Sequence, residues 1–153
     1  MAYSTAEGRQ QLLDSLTAAI EEIGSALTAL GAAYEQLDVA TADKLEEELF
    51  GPVQRAYGRA KRTHAAFAER AGLEPGIFDG QSSAGLPSTG AKGFIDNAVA
   101  AIGAADGNLA TLQDSPMLLE VGDVELRQGV SEIRELIAGL PHAARELVRR
   151  LGR

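Results

Sequence analysis

An unbroken heptad pattern in the first forty residues constrains the fold of this chain more than any other feature. Apolar residues recur there at alternating steps of three and four, without a charged residue among them: Leu13, Leu16, Ile20, Ile23, Leu27, Leu30, Tyr34 and Leu37. This spacing is typical of a helix that packs against other helices along one face. We therefore predict one helix over residues 5–37, about 50 Å long at 1.5 Å per residue.

A second apolar pattern predicts a helix over residues 42–71. Its members are Phe50, Val53, Tyr57, Ala60, His64, Phe67 and Ala71. Leu45 and Leu49 lie one position out of phase with this pattern, and the Gly51-Pro52 pair stands at the shift. Because the pattern resumes at once, we predict a kink at the proline rather than the end of a helix.

The segment 72–90 is rich in Gly, Pro and Ser and is the one long connection that we predict. Gly72, at its start, suits the end of a helix because glycine readily adopts the left-handed conformation found there. Structureless loops of this length are uncommon inside compact domains. We expect Ile77 and Phe78 to pin the segment to the end of the bundle.

Two further helices are predicted over residues 91–113 and 123–151. The third carries Ile95, Ala98, Ile102, Ala105, Leu109 and Leu112, and the fourth carries Leu126, Val130, Ile133, Ile137, Leu140, Ala144, Leu147 and Leu151. Pro141 falls within the fourth helix, but the apolar phase continues across it. We therefore predict one bent helix, with a break at Gly139 as the alternative.

These four helices predict an all-α fold. The first and third turns are short, which favours antiparallel neighbours. We predict a single domain over residues 1–153, an antiparallel up-down-up-down four-helix bundle whose long loop joins helices two and three. The period of 3.5 residues further predicts left-handed, coiled-coil-like packing.

The residue types argue against several kinds of catalytic site. The chain has no cysteine, which excludes disulfides, thiolate catalysis and cysteine-bound metals. Di-metal bundles carry inward-facing carboxylates and Glu-x-x-His motifs, whereas this chain has no such motif and no Asp or Glu in its apolar patterns. We therefore expect no catalytic residues, no metal site and no cofactor, and we interpret the chain as not being an enzyme.

The N-terminal segment gives an expectation about location. Residues 1–11 are polar and lack a basic stretch followed by an apolar one, so no secretory signal is visible. We expect a cytoplasmic protein without a transmembrane segment. Eleven arginines against three lysines, with abundant alanine, indicate a GC-rich bacterial genome.

His64 is the one histidine in the apolar patterns and allows three interpretations. The first is a neutral core histidine that is hydrogen-bonded within the bundle. The second is a ligand-binding or sensory bundle with a small-molecule pocket formed by Tyr34, Tyr57 and His64. Histidine phosphotransfer is a distant third, because the residues that follow His64 lack the Lys and Gly found after the reactive histidine in that family.

Two pairs of glycines inside predicted helices stand out, because each glycine in a helix interior costs about 1 kcal/mol relative to alanine. They are Gly24 and Gly31 in the first helix and Gly103 and Gly107 in the third. We expect a compensating close approach of backbones, either between these two helices or across a dimer interface. A ligand cleft is the alternative.

The charge distribution suggests a docking surface. The net charge of −8 makes nucleic acid an unfavourable partner. In an up-down-up-down bundle, however, the C-terminal halves of helices two and four would meet at one basic end. This predicts a patch for an anionic partner: Arg55, Arg59, Arg62, Arg145, Arg149 and Arg150. Alternatively, these charges only complement the helix dipoles.

Without a catalytic set, our preferred interpretation is a non-enzymatic helical interaction or scaffold protein. It would form a homo-oligomer or bind a protein partner through a helical face. The small-molecule pocket described above is the alternative function.

Overall fold

The computed structural model describes residues 4–78 and 83–151, and all regular structure in these two ranges is helical. The described helices are α1 (Thr5–Glu35), α2 (Val39–Leu45), α3 (Gly51–Ala71), α4 (Gly90–Asp114), α5 (Pro116–Val121), α6 (Val124–Ile137) and α7 (Leu140–Leu151). A π-helical turn, Glu46–Phe50, joins α2 to α3, and a 3-10 turn, Pro87–Thr89, precedes α4.

The long helices form four rods, each packed on two others. The first is α1, the second is α2 to α3 with the π-helical turn, the third is α4, and the fourth is α6 with α7. α1 packs on α3 and α4, and the fourth rod packs on α3 and α4 from the other side. Leu, Ile and Ala fill most of the space between them, together with the buried rings of Phe67 and Phe94.

α4 runs antiparallel to α1. At one end, the Gln36 side-chain amide donates to the Pro87 carbonyl at 2.9 Å, so α4 begins where α1 ends. At the other end, Arg9 Nε donates to the Val121 carbonyl at 3.2 Å, just beyond the end of α4. The first and second rods are joined by a short turn and are also antiparallel. α3 and α4 therefore point the same way.

The fourth rod points the opposite way to α3. Its start lies beside the end of α3, where Arg70 Nε contacts Asp123 Oδ2 at 2.7 Å. Its end lies near the start of the second rod, where Arg150 Nη1 is 4.0 Å from Glu48 Oε1. The order is therefore up-down-down-up, and the predicted up-down-up-down order is wrong.

The connection between α3 and α4 explains this difference. It must lead from the end of the bundle where α3 stops to the opposite end, where α4 starts. Residues 72–89 form this connection, and a chain of that length reaches at most about 60 Å. α4 is about 37 Å long, so the connection is long enough to cross the whole bundle. Four-helix bundles with one such crossover are a known variant of the architecture.

The irregularity predicted at Pro52 is a π-helical turn. Proline has no backbone N–H to donate to the residue four positions earlier, and the preceding Gly51 N–H donates to the Glu46 carbonyl, five positions back. The wider turn holds one extra residue, which shifts the apolar phase by one position. Leu45 and Leu49, out of phase in the sequence, are consequently fully buried.

The fourth rod is two helices, so the prediction of one bent helix is wrong and its alternative, a break at Gly139, is right. α6 ends at Ile137 and α7 begins at Leu140. Pro141 is thereby the second residue of α7, a position where a missing N–H costs nothing. Ile137 and Leu140 are both buried, so the apolar face continues across the break.

The ends of the helices have local causes. Gly72 ends α3 as predicted, with φ +69°, and the next N–H, of Leu73, bonds to the Ala68 carbonyl at 2.8 Å. At the start of α6, the Asp123 carboxylate accepts from the Leu126 N–H at 2.8 Å. Burial alone would raise the pKa of Asp123, but hydrogen bonds from Arg70 and from this N–H outweigh burial and lower it.

Within the described residues, no helix is both long enough and apolar enough to cross a membrane.

Candidate functional site

The crossover segment is attached to the side of the bundle by three aromatic side chains. The Tyr57 hydroxyl donates to the Phe78 carbonyl at 2.7 Å. The Phe78 ring meets the His64 imidazole edge to face, with ring centroids 4.9 Å apart and an angle of 87°. Tyr57 and His64 are two turns apart on α3, so together they hold one point of the crossover.

His64 is a neutral, hydrogen-bonded core residue. It is 1% exposed, and its Nε2 lies 3.1 Å from Thr17 Oγ1. The Thr17 hydroxyl already donates to the Leu13 carbonyl at 2.9 Å, so its oxygen accepts from an Nε2–H. Burial lowers the pKa of His64, which favours this neutral form. A phosphoryl donor has no access to an imidazole buried in this way.

The structure brings Tyr57 and His64 together but does not bring Tyr34 to them. The Tyr57 ring faces Gly24 on α1, where an added Cβ would lie 3.3 Å from Tyr57 Cε1. Tyr34 lies ten residues further along α1, about 15 Å away, and is 40% exposed. The three side chains therefore do not line one pocket.

The crossover also departs from its predicted attachment. Phe78 packs against the core as expected, but Ile77 is 84% exposed and pins nothing. Phe78 contacts His64, in the body of α3 rather than at the end of the bundle. The attachment along the side follows from the up-down-down-up order, because the crossover has to pass the length of the helices.

The predicted basic patch is divided by the direction of the fourth rod. Arg150 lies near Glu48, whereas Arg62 is fourteen residues further along the second rod, about 21 Å away. Arg59 and Arg62 therefore lie in the half of the bundle opposite to the arginines at 145, 149 and 150, whereas Arg55 lies midway along the second rod. A single basic end required the up-down-up-down order and is wrong.

Several of these arginines have carboxylate partners within the chain. Arg59 Nε lies 2.6 Å from Glu132 Oε2, and Arg149 Nη1 lies 2.9 Å from Glu146 Oε1. Such exposed pairs add little stability, commonly below about 1 kcal/mol. They do reduce the positive charge that each arginine offers to a partner.

A groove of about 290 Å³ lies between α4 and α7. Its apolar floor consists of Val99 from α4 and Pro141, Ala144 and Val148 from α7, and its rim carries Asp96, Arg145 and Arg149. The side chains of Pro141 and Ala144 are short, so they leave space between the two helices. Sequence reasoning missed this groove because α4 and α7 become neighbours only in the folded chain.

Arg145 gives the groove an uncompensated positive charge. Among residues 4–78 and 83–151, no carboxylate oxygen lies within 4.0 Å of its guanidinium. Asp96, on the same rim, is paired with Lys92 Nζ at 2.7 Å. The free charge beside the apolar floor therefore favours an occupant that is apolar and acidic.

The helix glycines have different surroundings. Gly24 receives the Tyr57 ring, as described above. An added Cβ at Gly31, Gly103 or Gly107 would meet no atom within 4 Å. Close approach within the chain therefore does not explain these three glycines. Gly103 and Gly107 are exposed on the outer face of α4, next to the groove.

The described residues contain no group of three or more His, Cys, Asp or Glu side chains that could hold a metal ion.

Comparison with protein-family models, with curated proteins and with solved structures finds no match to this chain.

Proposed function

We propose that this chain is a non-enzymatic interaction protein that binds a protein segment in the groove between α4 and α7. The observation that carries the proposal is the combination of an apolar floor with the unpaired Arg145 on its rim. Grooves between helices bind partner segments by burying apolar side chains, and charges on the rim select the partner and its orientation.

The groove fits a protein segment better than an enclosed small molecule. Ligand pockets usually bury most of the ligand surface and hold several polar groups that converge on it. Here the polar side chains stand on the rim, above a floor formed by Val99, Ala144 and Val148. The partner segment should present apolar side chains to this floor and a carboxylate to Arg145.

Photo-crosslinking in the cells that make the protein tests this proposal. p-Benzoylphenylalanine would replace Val148, on the groove floor, and in separate variants Val39 and Ile77. These two controls are 79% and 84% exposed and lie on other elements. We expect protein adducts from position 148 only, and we expect Arg145→Glu in the same chain to reduce them.

Equal crosslinking from all three positions would contradict the proposal, because it would indicate nonspecific contact with exposed surface. The absence of protein adducts from position 148 would contradict it as well. Adducts that Arg145→Glu leaves unchanged would show that the rim charge does not select the partner.

A further inference from the structure

A short stretch of the crossover completes the burial of His64. We call residues 74–78 the strap. Four of its five residues are exposed, and its one side chain that packs against the core is Phe78. The Phe78 ring lies against the imidazole, with centroids 4.9 Å apart, and a Cβ added at Gly76 would lie 3.5 Å from His64 Cε1. Under this cover the imidazole is 1% exposed.

The seam beneath the strap lies close to the surface of the bundle. Thr17 on α1 and Tyr57 on α3, which adjoin His64 and Phe78, are only partly buried. If the strap moved away, water would therefore reach the imidazole while the helices stayed packed. Segments that are held by few buried contacts open at a lower free energy than the whole fold.

The closed site holds no group that compensates a charge on His64. Nε2 lies 3.1 Å from the Thr17 hydroxyl, and the Phe78 ring is apolar. Four charged side chains lie within about one turn on α1 and α3 or in the strap: Asp14, Glu21, Lys61 and Glu74. None of them forms an ion pair with His64 in the described chain. On α6, which packs on the other side of α3, Glu132 pairs with Arg59.

We infer that the strap is pH-sensitive: it stays closed over a neutral His64 and detaches from α3 when the imidazole takes up a proton. In the closed site the added charge has neither water nor a carboxylate beside it, and burying a charge in this way is costly. Detachment hydrates the imidazolium. It breaks few contacts, chiefly the ring contact of Phe78 and the hydrogen bond from Tyr57. The strap lies over α1 and α3, whereas the groove lies between α4 and α7, so strap opening does not require a partner in the groove.

The direction of the pH effect follows from burial. Burial lowers the pKa of His64 while the strap is closed, whereas a hydrated imidazole has a pKa of about 6.5. The open state therefore binds more protons, and acidification favours it. The ratio of open to closed strap should be constant well above pH 6.5 and should rise by up to about tenfold for each pH unit below it.

Pulsed electron paramagnetic resonance between two spin labels measures this opening in the full chain. The chain has no cysteine, so Gln11→Cys on α1 and Ile77→Cys in the strap are labelled selectively. Both positions are exposed. We expect one narrow distance distribution at pH 7.5 and an additional, broader component at longer distance at pH 5. Circular dichroism at both pH values should show the same helical signal.

Three variants assign the opening to His64. His64→Gln keeps a hydrogen-bonding side chain but takes up no proton, so it should abolish the second component at pH 5. His142→Gln, on α7, is the matched control and should retain that component. Phe78→Ala removes the ring contact and should release the strap already at pH 7.5.

An identical distance distribution at pH 7.5 and pH 5 would overturn the inference, and so would a second component that persists in His64→Gln. Loss of the helical signal in parallel with the opening would overturn it as well, because the whole bundle would then unfold. If His64→Gln does not fold, the ¹³Cε1 chemical shift of His64 in the otherwise wild-type chain decides. Its protonation has to rise together with the open component, and a separate titration would contradict the coupling.

Discussion

Gly129→Ala should destabilise the fold, although the same change usually stabilises an exposed helix. Gly129 lies in α6 where it crosses α3, and an added Cβ would be 2.6 Å from Thr63 Cγ2 and 2.7 Å from Thr63 Oγ1. Ordinary contacts of this kind begin at 3.4 Å, so the Cβ would be too close by about 0.8 Å.

Thr63 has little freedom to move away. It is 4% exposed, its hydroxyl donates to the Arg59 carbonyl at 2.8 Å, and its branched side chain has few allowed rotamers in a helix. Overpacking of this kind lowers the free energy of unfolding by about 1–3 kcal/mol. The higher helix propensity of alanine offsets about 1 kcal/mol of this cost. With a rigid neighbour we expect the upper part of the range, hence a net loss of about 1–2 kcal/mol.

Urea denaturation followed by circular dichroism measures this loss, and a double-mutant cycle assigns it to the contact. Thr63→Ala removes both atoms that clash and leaves the Cβ of residue 63 at 3.2 Å from the Cβ added at residue 129. In the Thr63→Ala background, Gly129→Ala should therefore be less destabilising by about 1 kcal/mol or more than in the wild-type chain. Gly31→Ala, with open space around its Cβ, should be stabilising. A stabilising Gly129→Ala, or additivity within about 0.3 kcal/mol in the cycle, would refute the reasoning.

Three further predictions concern single side chains. The pKa of His64 is below 6.5 in the folded state, so the unfolded chain binds more protons there. The free energy of unfolding should therefore fall as pH decreases below about 6.5, and His64→Gln should reduce this fall. Tyr57→Phe removes the hydrogen bond to Phe78 and should cost about 1 kcal/mol in urea denaturation. Asp123→Ala removes the cap on the Leu126 N–H and should cost about 1–2 kcal/mol in the same assay.

Each of these substitutions has a matched control. His142→Gln changes the exposed histidine of α7 and is the control for His64→Gln. Tyr34→Phe removes a hydroxyl from an exposed ring and should be neutral. Asp38→Ala changes a helix-capping position whose side chain makes no capping hydrogen bond, so it should cost much less than Asp123→Ala. Equal effects in variant and control would contradict the assigned contact.

Local patterns were sufficient to locate most of the helices. The spacing of residues such as Leu16, Ile20 and Ile23 predicts a helix and its buried face together, and all three are fully buried. The phase shift at Leu49 and Pro52 correctly located an irregularity in the second rod. It did not indicate that this irregularity is a π-helical turn. Proline at 141 indicated either a bend or a break, and only the backbone could distinguish them.

The candidate site was less accessible to sequence reasoning. His64 and Tyr57 could be placed on one buried face, but their contact with Phe78 depends on the path of the crossover. The groove joins Val99 to Val148, which are far apart in sequence and have no shared periodicity. Nothing local indicates that these two residues face each other.

The sequence by itself determined where most of the helices lie and which faces they bury, because helical periodicity depends on residues three or four apart. The tertiary structure decided the directions of α4 and of the fourth rod, because a connection as long as residues 72–89 can either turn back or cross the bundle. Those directions decide which charges meet. They separate Arg62 from Arg150 and place Arg145 beside the groove, where its charge has no partner in the described chain.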